Sequence, residues 1–132
     1  MAISGDDLMH VLVVDDLAIN RVLTMSLLRT VGIEASAAAS GVSALDSLSK
    51  ERYHAILIDF FLGDMTGDEL TQRIRELYGT RHRIVGLSGD DDAETRQRAL
   101  DSGMDAFLCK PASVETLRSV LKPDGPTYAG CS

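Results

Sequence analysis

Five side chains that could do acid, nucleophile or cation chemistry stand at or just after the ends of short apolar segments. They are Asp15, Asp16, Asp59, Ser88 and Lys110. The clearest of these segments is "HAILID" at 54–59, an aliphatic run of strand type that closes on a carboxylate. Because the five residues are far apart along the chain, they can act together only in a fold that joins the ends of four separate segments.

Three carboxylates brought to one place would repel one another and raise each other's pKa values. A hard divalent cation such as Mg²⁺ would relieve this repulsion, because it takes carboxylates, a backbone carbonyl, water and phosphate oxygens as ligands. Together with Lys110 the cation would cancel the three negative charges and leave electrostatic room for a phosphoryl group. A carboxylate so placed can attack phosphorus, and the pattern therefore indicates that Asp59 forms an aspartyl phosphate.

Each of these residues also has an ordinary structural role. An aspartate shortly before a helix, such as Asp16, is often an N-cap, and an aspartate or serine beside glycine is common in turns. A single match would therefore indicate little. The hypothesis of a site depends on five residues having suitable chemistry at the ends of four different segments.

The segments that must position these side chains alternate between strand and helix. The pattern predicts strands at 10–15, 33–39, 54–59, 83–88 and 105–109, and helices at 18–32, 41–50, 67–79, 92–103 and 113–122. Aliphatic strands separated by helices indicate a parallel sheet covered on both faces. We predict an α/β fold, a doubly wound five-stranded parallel sheet of the flavodoxin-like (βα)5 type with strand order 2-1-3-4-5. In this order the first and third strands are neighbours, so the carboxylates converge at the edge where such sheets bind ligands.

Length and composition indicate one globular domain. The chain has 132 residues, 45% of them hydrophobic and 25% charged, and we assign 8–122 to the domain and 1–7 and 123–132 to tails, the latter without regular structure. The net charge of −7 argues against direct nucleic-acid binding. No apolar stretch approaches the roughly 20 residues that cross a bilayer, and the start lacks a signal-peptide pattern. We therefore expect a cytoplasmic protein without membrane insertion.

The chain has two cysteines, Cys109 and Cys131, and neither has another Cys or a His at metal-binding spacing. We expect both to be free thiols, as is usual in a reducing compartment.

Four motifs together resemble the receiver domain of two-component response regulators, the CheY-like superfamily. They are "VLVVDD" at 11–16, "ILID" at 56–59, "GLSG" at 86–89 and "FLCKP" at 107–111. The resemblance extends over residues 8 to about 122, and the combination is specific although "DD", "SG" or "KP" alone would be weak. It implies the phosphoacceptor domain of a His-Asp phosphorelay, which takes a phosphoryl group from a phosphohistidine with Mg²⁺ as cofactor.

The resemblance also implies how the metal and the phosphoryl group are held. Asp59 would be the phosphoacceptor and a metal ligand, with Asp16 as a second direct ligand. Asp15 would act largely through a metal-bound water, and the backbone carbonyl of Phe61 would complete the protein's share of the Mg²⁺ shell.

Other implied roles concern the response to phosphorylation. The hydroxyl of Ser88 and the ammonium of Lys110 would each bind a phosphoryl oxygen. Phe107 takes the position of the switch aromatic, which turns inward when Ser88 moves toward the phosphoryl group. The chain departs from the family where "DFFLG" replaces the common "DxxMP", with Gly63 in place of proline. Glycine accepts many backbone conformations, so we expect a looser loop.

The resemblance implies a signalling module and not an enzyme, since such a domain catalyses only its own phosphorylation and slow dephosphorylation. None of the three histidines lies in a helix suited to a kinase phosphohistidine site, so we expect a histidine kinase or a histidine phosphotransfer protein as donor. The domain would signal through protein contacts of its fourth helix, fifth strand and fifth helix, or pass the phosphoryl group onward. The oligomeric state is left open.

The first predicted helix carries two apolar stripes. We expect one of them to face the core: Leu23, Leu27 and Val31. The other would be turned toward solvent: Ile19, Val22 and Met25. This second stripe either widens the core face or docks a helical bundle that carries the donor histidine, by burying apolar surface.

Two other function classes fit parts of the pattern. The alternative is an aspartyl-nucleophile phosphohydrolase on a related α/β fold, but such enzymes tend to keep nucleophile and acid on one "DxD" turn after the first strand. Here the candidate nucleophile follows the third strand. Flavin or nucleotide binding would need a phosphate loop, and "GxGxxG" and "GxxxxGK" are both absent.

Overall fold

The computed structural model of the chain describes residues 9–89, 93–110, 112–122 and 125 and the backbone of 128–130. Strands and helices alternate along it: β1 His10–Val14, α1 Ala18–Thr30, β2 Glu34–Ala38, α2 Gly41–Lys50, β3 Ala55–Asp59, α3 Gly67–Tyr78, β4 Arg83–Ser88, α4 Ala93–Asp101, β5 Ala106–Cys109, α5 Val114–Leu121 and β6 Tyr128–Gly130. The strands form one parallel sheet in the order β2-β1-β3-β4-β5-β6. The predicted order 2-1-3-4-5 is confirmed, with a sixth strand added beside β5.

Two apolar cores, one on each face of the sheet, hold the helices in place. On one face, side chains of β1, β3, β4 and β5 pack with α2, α3 and α4. This core includes two fully buried rings, Phe60 directly after β3 and Phe107 in β5. On the other face, alternate side chains of the same strands pack against α1 and α5. Because side chains alternate across a strand, this double cover explains why the central strands are aliphatic at almost every position.

The register of the central strands lines up their carboxyl ends. The last residue of β1 pairs with the residue before Asp59. Asp59 pairs with the residue before Ser88, and Ser88 pairs with the residue before Lys110. The candidate residues therefore leave the sheet at one edge, as the predicted strand order requires.

The side of α1 that packs against the core differs from the one that the sequence predicted. Leu28 is fully buried, whereas Leu23 and Leu27 are 57% and 41% exposed, so the expectation that these two leucines face the core is wrong. Met25 and Val31 are partly buried and pack against the core. The physical reason is that α1 is apolar around most of its circumference, and periodicity alone does not say which side the sheet covers.

The C-terminal segment contains a strand where we expected a tail without regular structure. β6 pairs in parallel with β5 and extends the sheet past residue 122. Cys109, the last residue of β5, is disulfide-bonded, so the expectation of a free thiol is wrong for this residue. The chain has one other cysteine, Cys131. It lies outside the described residues, as does the N-terminal tail 1–7.

Among the described residues, no helix combines the length and the apolar character that a transmembrane span requires.

Leu28→Ala and Leu27→Ala form a matched pair that tests the orientation of α1. The two residues are neighbours in one helix, but the first is fully buried and the second is 41% exposed. We expect Leu28→Ala to lower the free energy of unfolding by about 2–5 kcal/mol, because it leaves a cavity in the core. Leu27→Ala should lower it by about 1 kcal/mol or less. Urea denaturation measures both, and equal losses would contradict the orientation.

Candidate functional site

β1 delivers two carboxylates to the carboxyl edge of the sheet. Asp15 is 5% exposed, and its Oδ1 accepts a hydrogen bond from the backbone N–H of Leu17 at 3.0 Å. Its backbone oxygen accepts a hydrogen bond from Arg21 Nη1 at 2.8 Å. Asp16 is exposed and is not the N-cap of α1, since that position belongs to Leu17 and has no side-chain cap bond. The ordinary explanation of Asp16 as a helix cap therefore does not apply.

β3 and the residue after β5 bring a third carboxylate and an ammonium group into contact. Asp59 closes β3, and its side chain is 12% exposed. Lys110 Nζ lies 2.9 Å from Asp59 Oδ1 and 3.4 Å from Asp15 Oδ2. One lysine therefore bridges carboxylates from two neighbouring strands.

The hydroxyl of the candidate site comes from β4. Ser88 closes that strand and is 1% exposed. The backbone N–H of Lys110 donates a hydrogen bond to the carbonyl oxygen of Ser88 at 2.8 Å. This bond holds the hydroxyl-bearing and the ammonium-bearing residues side by side at the end of the β4–β5 pair.

The three carboxylates crowd one another. One oxygen from each of Asp15, Asp16 and Asp59 lies within 4.8 Å of the other two. Burial raises the pKa of Asp59; Lys110 lowers it in part, and the charges of Asp15 and Asp16 raise it again, so that it stands above its ordinary value. Burial lowers the pKa of Lys110, but its contacts with Asp59 and Asp15 raise it above its ordinary value on balance. Three carboxylates against one ammonium leave a surplus of negative charge on oxygen donors, which suits a hard divalent cation.

The loop that follows Asp59 is built on a turn that needs glycine. Gly63 has a φ of +86°, which the fixed ring of proline cannot adopt, so the proline common in the resembled family has no place in this turn. The loop is braced by a hydrogen bond from the N–H of Leu62 to the carbonyl of Met65 at 3.2 Å and by a bridge between Phe61 and Thr66. Glycine here meets a conformational requirement, which differs from the loosening we expected.

Asp64 is a positioning residue of this loop that sequence reasoning missed. Its two carboxylate oxygens accept hydrogen bonds from the backbone N–H groups of Gly41 and Val42, each at 3.0 Å. The bond from Gly41 in particular lowers the pKa of Asp64. The loop after β3 is thereby tied to the first turn of α2. Nothing near Asp64 in the sequence marks a contact with a residue 23 positions earlier.

The proposed switch residue is packed inside the domain. Phe107 is fully buried, and its ring meets that of Phe60 edge to face at a centroid distance of 6.1 Å. Gly86 makes room for it, since a Cβ at that position would lie 3.1 Å from Cδ1 of Phe107 and 2.5 Å from the sulfur of Met104. Sequence reasoning quoted Gly86 as part of "GLSG" but missed this role.

Part of the water-facing surface of α1 is apolar, and it starts next to the carboxylates that follow β1. We call its exposed members the α1 patch: Leu17, Ile19, Val22, Leu23 and Leu27. Ile19 and Val22 belong to the predicted second stripe and are 63% and 59% exposed, whereas Met25, the third member of that stripe, packs partly against the core. Phe61, in the loop after β3, is 50% exposed at the same edge. The acidic group is therefore bordered by apolar surface.

Asp59→Asn tests the charge crowding in the metal-free protein. Since burial and the neighbouring carboxylates raise the pKa of Asp59, folding disfavours its ionised form, and we expect the substitution to raise the free energy of unfolding at neutral pH in EDTA. This increase in the free energy of unfolding should be fully present at pH values above the raised pKa of Asp59. It should shrink as the pH falls toward the ordinary value of 3.8, because the native carboxyl then takes up a proton on folding.

The control for this experiment is Asp46→Asn, which removes an exposed carboxylate that pairs with Lys50 at 3.1 Å. We expect it to change the free energy of unfolding by no more than about 0.5 kcal/mol at any pH. Urea denaturation over a series of pH values measures both variants. A loss of stability in Asp59→Asn at neutral pH would show that the charge is not crowded.

Sequence comparison identifies the family of the chain. Residues 11–122 match the family model of the response regulator receiver domain. The sensor histidine kinase RcsC of Escherichia coli (strain K12) is 41% identical over 120 residues, which are 91% of this chain and 12% of that protein. The chain therefore spans a small part of the length of this curated relative.

Solved structures agree with the sequence match. The chemotaxis response regulator CheY4 of Vibrio cholerae is 31% identical with a TM-score of 0.77, over 86% of this chain and 98% of that one. A chain of the Saccharomyces cerevisiae complex between the histidine phosphotransfer protein Ypd1 and the receiver domain of Ssk1 is 26% identical with a TM-score of 0.78, over 86% of each. These matches favour a signalling domain over the phosphohydrolase alternative. The chain belongs to the response regulator receiver domain family and is a phosphorelay domain of two-component signal transduction.

Proposed function

We propose that this receiver domain accepts a phosphoryl group on Asp59 from a phosphohistidine of a partner protein, with Mg²⁺ bound by the acidic group. The supporting observation is that Asp15, Asp16 and Asp59 lie close together, whereas within the part of the chain that the structure describes one ammonium group, that of Lys110, contacts this group, at 2.9 Å from Asp59 and 3.4 Å from Asp15. A structural ion pair would match one acid with one base. A surplus of carboxylates at a partly buried edge is costly unless a cation offsets it.

Asp15, Asp16 and Asp59 would hold the Mg²⁺ ion, with the backbone carbonyl of Phe61 as a further ligand. The fit is supported by an all-oxygen donor set that combines a buried, an exposed and an intermediate carboxylate, which suits an ion that keeps several waters. When bound, Mg²⁺ neutralises the carboxylates and the incoming phosphoryl oxygens.

The residues of the chain then have distinct tasks in the transfer. A carboxylate oxygen of Asp59 forms the new P–O bond while the P–N bond to the donor imidazole breaks, and the departing nitrogen keeps the electron pair. Lys110 is placed to bind one phosphoryl oxygen, and the hydroxyl of Ser88 to bind another. Movement of Ser88 toward the phosphoryl group would be transmitted to Phe107 on the neighbouring strand β5, whose ring lies beside Gly86 of the strand that carries Ser88.

Intact-mass spectrometry after incubation with acetyl phosphate and Mg²⁺ tests the phosphoacceptor. We expect the native chain to gain one phosphoryl group and Asp59→Asn to gain none, because the variant lacks the nucleophile. The adduct should survive acid and be lost in base or hydroxylamine, as an acyl phosphate is. EDTA should prevent its formation.

The matched control is Asp46→Asn, which alters an exposed acid on α2 that pairs with Lys50. It should be phosphorylated like the native chain. Equal phosphorylation of Asp59→Asn would show that another residue is the acceptor, and full phosphorylation in EDTA would remove Mg²⁺ from the proposal.

The donor that we propose is a histidine kinase or a histidine phosphotransfer protein whose histidine lies on a helical bundle. The α1 patch supports this, since its five apolar side chains are at least 41% exposed beside the acidic group, and such patches mark contact surfaces. In the solved complex with Ypd1, a receiver domain is bound to a histidine phosphotransfer protein. A bundle that covers the α1 patch would bring its histidine over Asp59.

The response would leave by protein contacts in the cytoplasm. We propose the face formed by α4, β5 and α5 as the output surface, because β5 carries Phe107 and leads directly to Lys110. Onward transfer of the phosphoryl group to a second histidine would use the α1 patch again.

Val22→Glu tests docking on α1. Val22 is 59% exposed, and a carboxylate there would have to lose its hydration against an apolar partner surface. We expect phosphotransfer from a phosphorylated histidine phosphotransfer protein to slow by about tenfold or more, which corresponds to about 1.4 kcal/mol of binding. Phosphorylation by acetyl phosphate should be unchanged.

Val42→Glu on α2 is the matched control, since Val42 is 64% exposed and lies on another helix. It should leave both donors unaffected. If the two variants slow the protein donor equally, docking does not use the α1 patch. If Val22→Glu also slows acetyl phosphate, the defect lies in the site itself.

A further inference from the structure

A cleft lies at the edge of the sheet opposite the acidic group. It forms where α2 leads into β3 and α3 leads into β4, together with the residue before β5. We call it the amino-edge cleft, and it is lined by residues 48–54, 78, 80–83 and 105. Its volume is about 770 Å³, which lies within the range of about 300–1,000 Å³ that is usual for sites of small ligands. The domain therefore has room for a ligand away from the three carboxylates.

Cationic side chains outnumber carboxylates in the amino-edge cleft, although the chain as a whole has a net charge of −7. The cationic side chains are Lys50, Arg52, Arg81 and Arg83, and the carboxylates are Glu51 and Asp105. The acidic group at the other edge of the sheet has the opposite excess. The distribution of charge therefore favours an anion in this cleft.

Both carboxylates of the cleft already have partners. Asp105 Oδ2 lies 2.9 Å from Arg75 Nη2 and accepts a hydrogen bond from the backbone N–H of Ile84 at 2.8 Å. Glu51 accepts a hydrogen bond from the hydroxyl of Tyr53 at 3.3 Å. These contacts involve neither of the two exposed arginines at the mouth of the cleft.

The two exposed arginines come from different walls of the cleft. Arg52 belongs to the connection between α2 and β3, and Arg81 to the connection between α3 and β4. Within the described part of the chain, neither forms an ion pair with a carboxylate. Arg81 lies over the ring of Tyr78 at 5.6 Å from its centroid. Each wall therefore presents a guanidinium group that an anion can bind.

His82 supplies a buried polar atom that lacks a partner. The residue lines the cleft and is 4% exposed, and its Nδ1 has no hydrogen-bond partner among the described residues. Its ring meets that of Tyr78 edge to face at a centroid distance of 5.4 Å. Burial, together with the charges of Arg81 and Arg75, lowers the pKa of His82, so the neutral ring offers one N–H and one acceptor nitrogen. A ligand that satisfied this atom would remove the cost of leaving it unpaired.

The ordinary explanation of the positive charge is the helix dipole. Cationic side chains are stabilised near the carboxyl end of a helix, and α2 and α3 both end at this cleft. The dipole accounts for Lys50, which ends α2 and pairs with Asp46 at 3.1 Å. It does not account for Arg52 and Arg81, which lie beyond the last turns, because the effect falls off within the last turn.

We propose that the amino-edge cleft binds a small organic phosphate, with Arg52 and Arg81 binding the phosphate and the rings of Tyr78 and His82 contacting its organic body. Guanidinium groups bind phosphate oxygens through paired, charge-assisted hydrogen bonds. They would take the part of the backbone N–H groups of a phosphate loop, which the chain lacks. Nucleotides and sugar phosphates share this chemistry. The site goes beyond the proposed function and does not depend on it.

Nuclear magnetic resonance of the nitrogen-15-labelled full chain in EDTA tests the site with AMP, ribose 5-phosphate and inorganic phosphate as probes. AMP should shift the amide signals of residues 48–54 and 78–83 and leave those of Asp59, Ser88 and Lys110 in place. We expect AMP to bind about tenfold more tightly than inorganic phosphate, because its base adds ring contacts. Equal affinity for AMP and ribose 5-phosphate would identify a sugar phosphate as the ligand.

Two outcomes of the titrations would overturn the proposal. If millimolar AMP does not shift the amides of the cleft, the site does not exist. If inorganic phosphate binds as tightly as AMP, the cleft does not contact an organic body.

Arg52→Gln and Arg81→Gln test the phosphate contacts from the two walls. Each should raise the Kd for AMP about tenfold, because it removes a charge-assisted hydrogen bond. Arg73→Gln is the matched control, since Arg73 is an exposed arginine of α3 outside the cleft, and it should bind AMP like the native chain. The same Kd in all three variants would contradict the site.

His82→Phe tests the contact with the organic body. It should weaken the binding of AMP and leave that of inorganic phosphate unchanged, because it removes only the ring nitrogens. Unchanged AMP binding in the folded variant would rule out this contact, and the exposed arginines decide the site independently of this buried substitution. Asp59→Asn should bind AMP like the native chain, so that failure of this site and failure of the phosphoacceptor assignment are distinguishable.

Discussion

The contact of Lys110 with two carboxylates from different strands is the interaction on which the site depends. Its ammonium lies 2.9 Å from Asp59 and 3.4 Å from Asp15, yet a third carboxylate, Asp16, lies close by. Repulsion within this group favours opening of the sheet edge. The parallel register and the apolar cores on both faces oppose it, because they fix where each strand ends. The domain thus maintains a charge surplus that a cation and a phosphoryl group can satisfy.

The same register connects the site to the surface. The reactive groups stand at the ends of four different strands, so a ligand that binds all of them would pull on several strands at once. β5 is the most direct connection between the site and the surface, since Phe107 lies within this strand, Cys109 ends it and Lys110 follows it. Phe107 is packed between Phe60 and the space left by Gly86. A shift of Ser88 on the neighbouring strand β4 would therefore press on the buried ring of Phe107. The other edge of β5 is paired with β6.

Much of this arrangement could be predicted from the sequence, because buried parallel strands leave a strong aliphatic signal and the reactive residues stand at their ends. The orientation of α1 could not, since apolar residues surround that helix and burial of Leu28 instead of Leu27 depends on the neighbouring sheet. The contact of Asp64 with the start of α2 is non-local and leaves no local pattern. β6 was missed for a similar reason: its short segment lacks an aliphatic run, and its pairing depends on β5.

The apolar border of the acidic group has a physical reason of its own. A domain with a net charge of −7 has ample polar residues for its surface, and yet α1 presents Ile19 and Val22 to water beside the carboxylates. Transfer of a phosphoryl group between two proteins requires that water be kept from the reacting atoms, which apolar contact achieves without adding charge. An ionic border would bind more tightly to a charged partner but would compete with the cation for the same carboxylates. In the proposed function, apolar docking beside ionic chemistry would separate the binding of the partner from the binding of the metal.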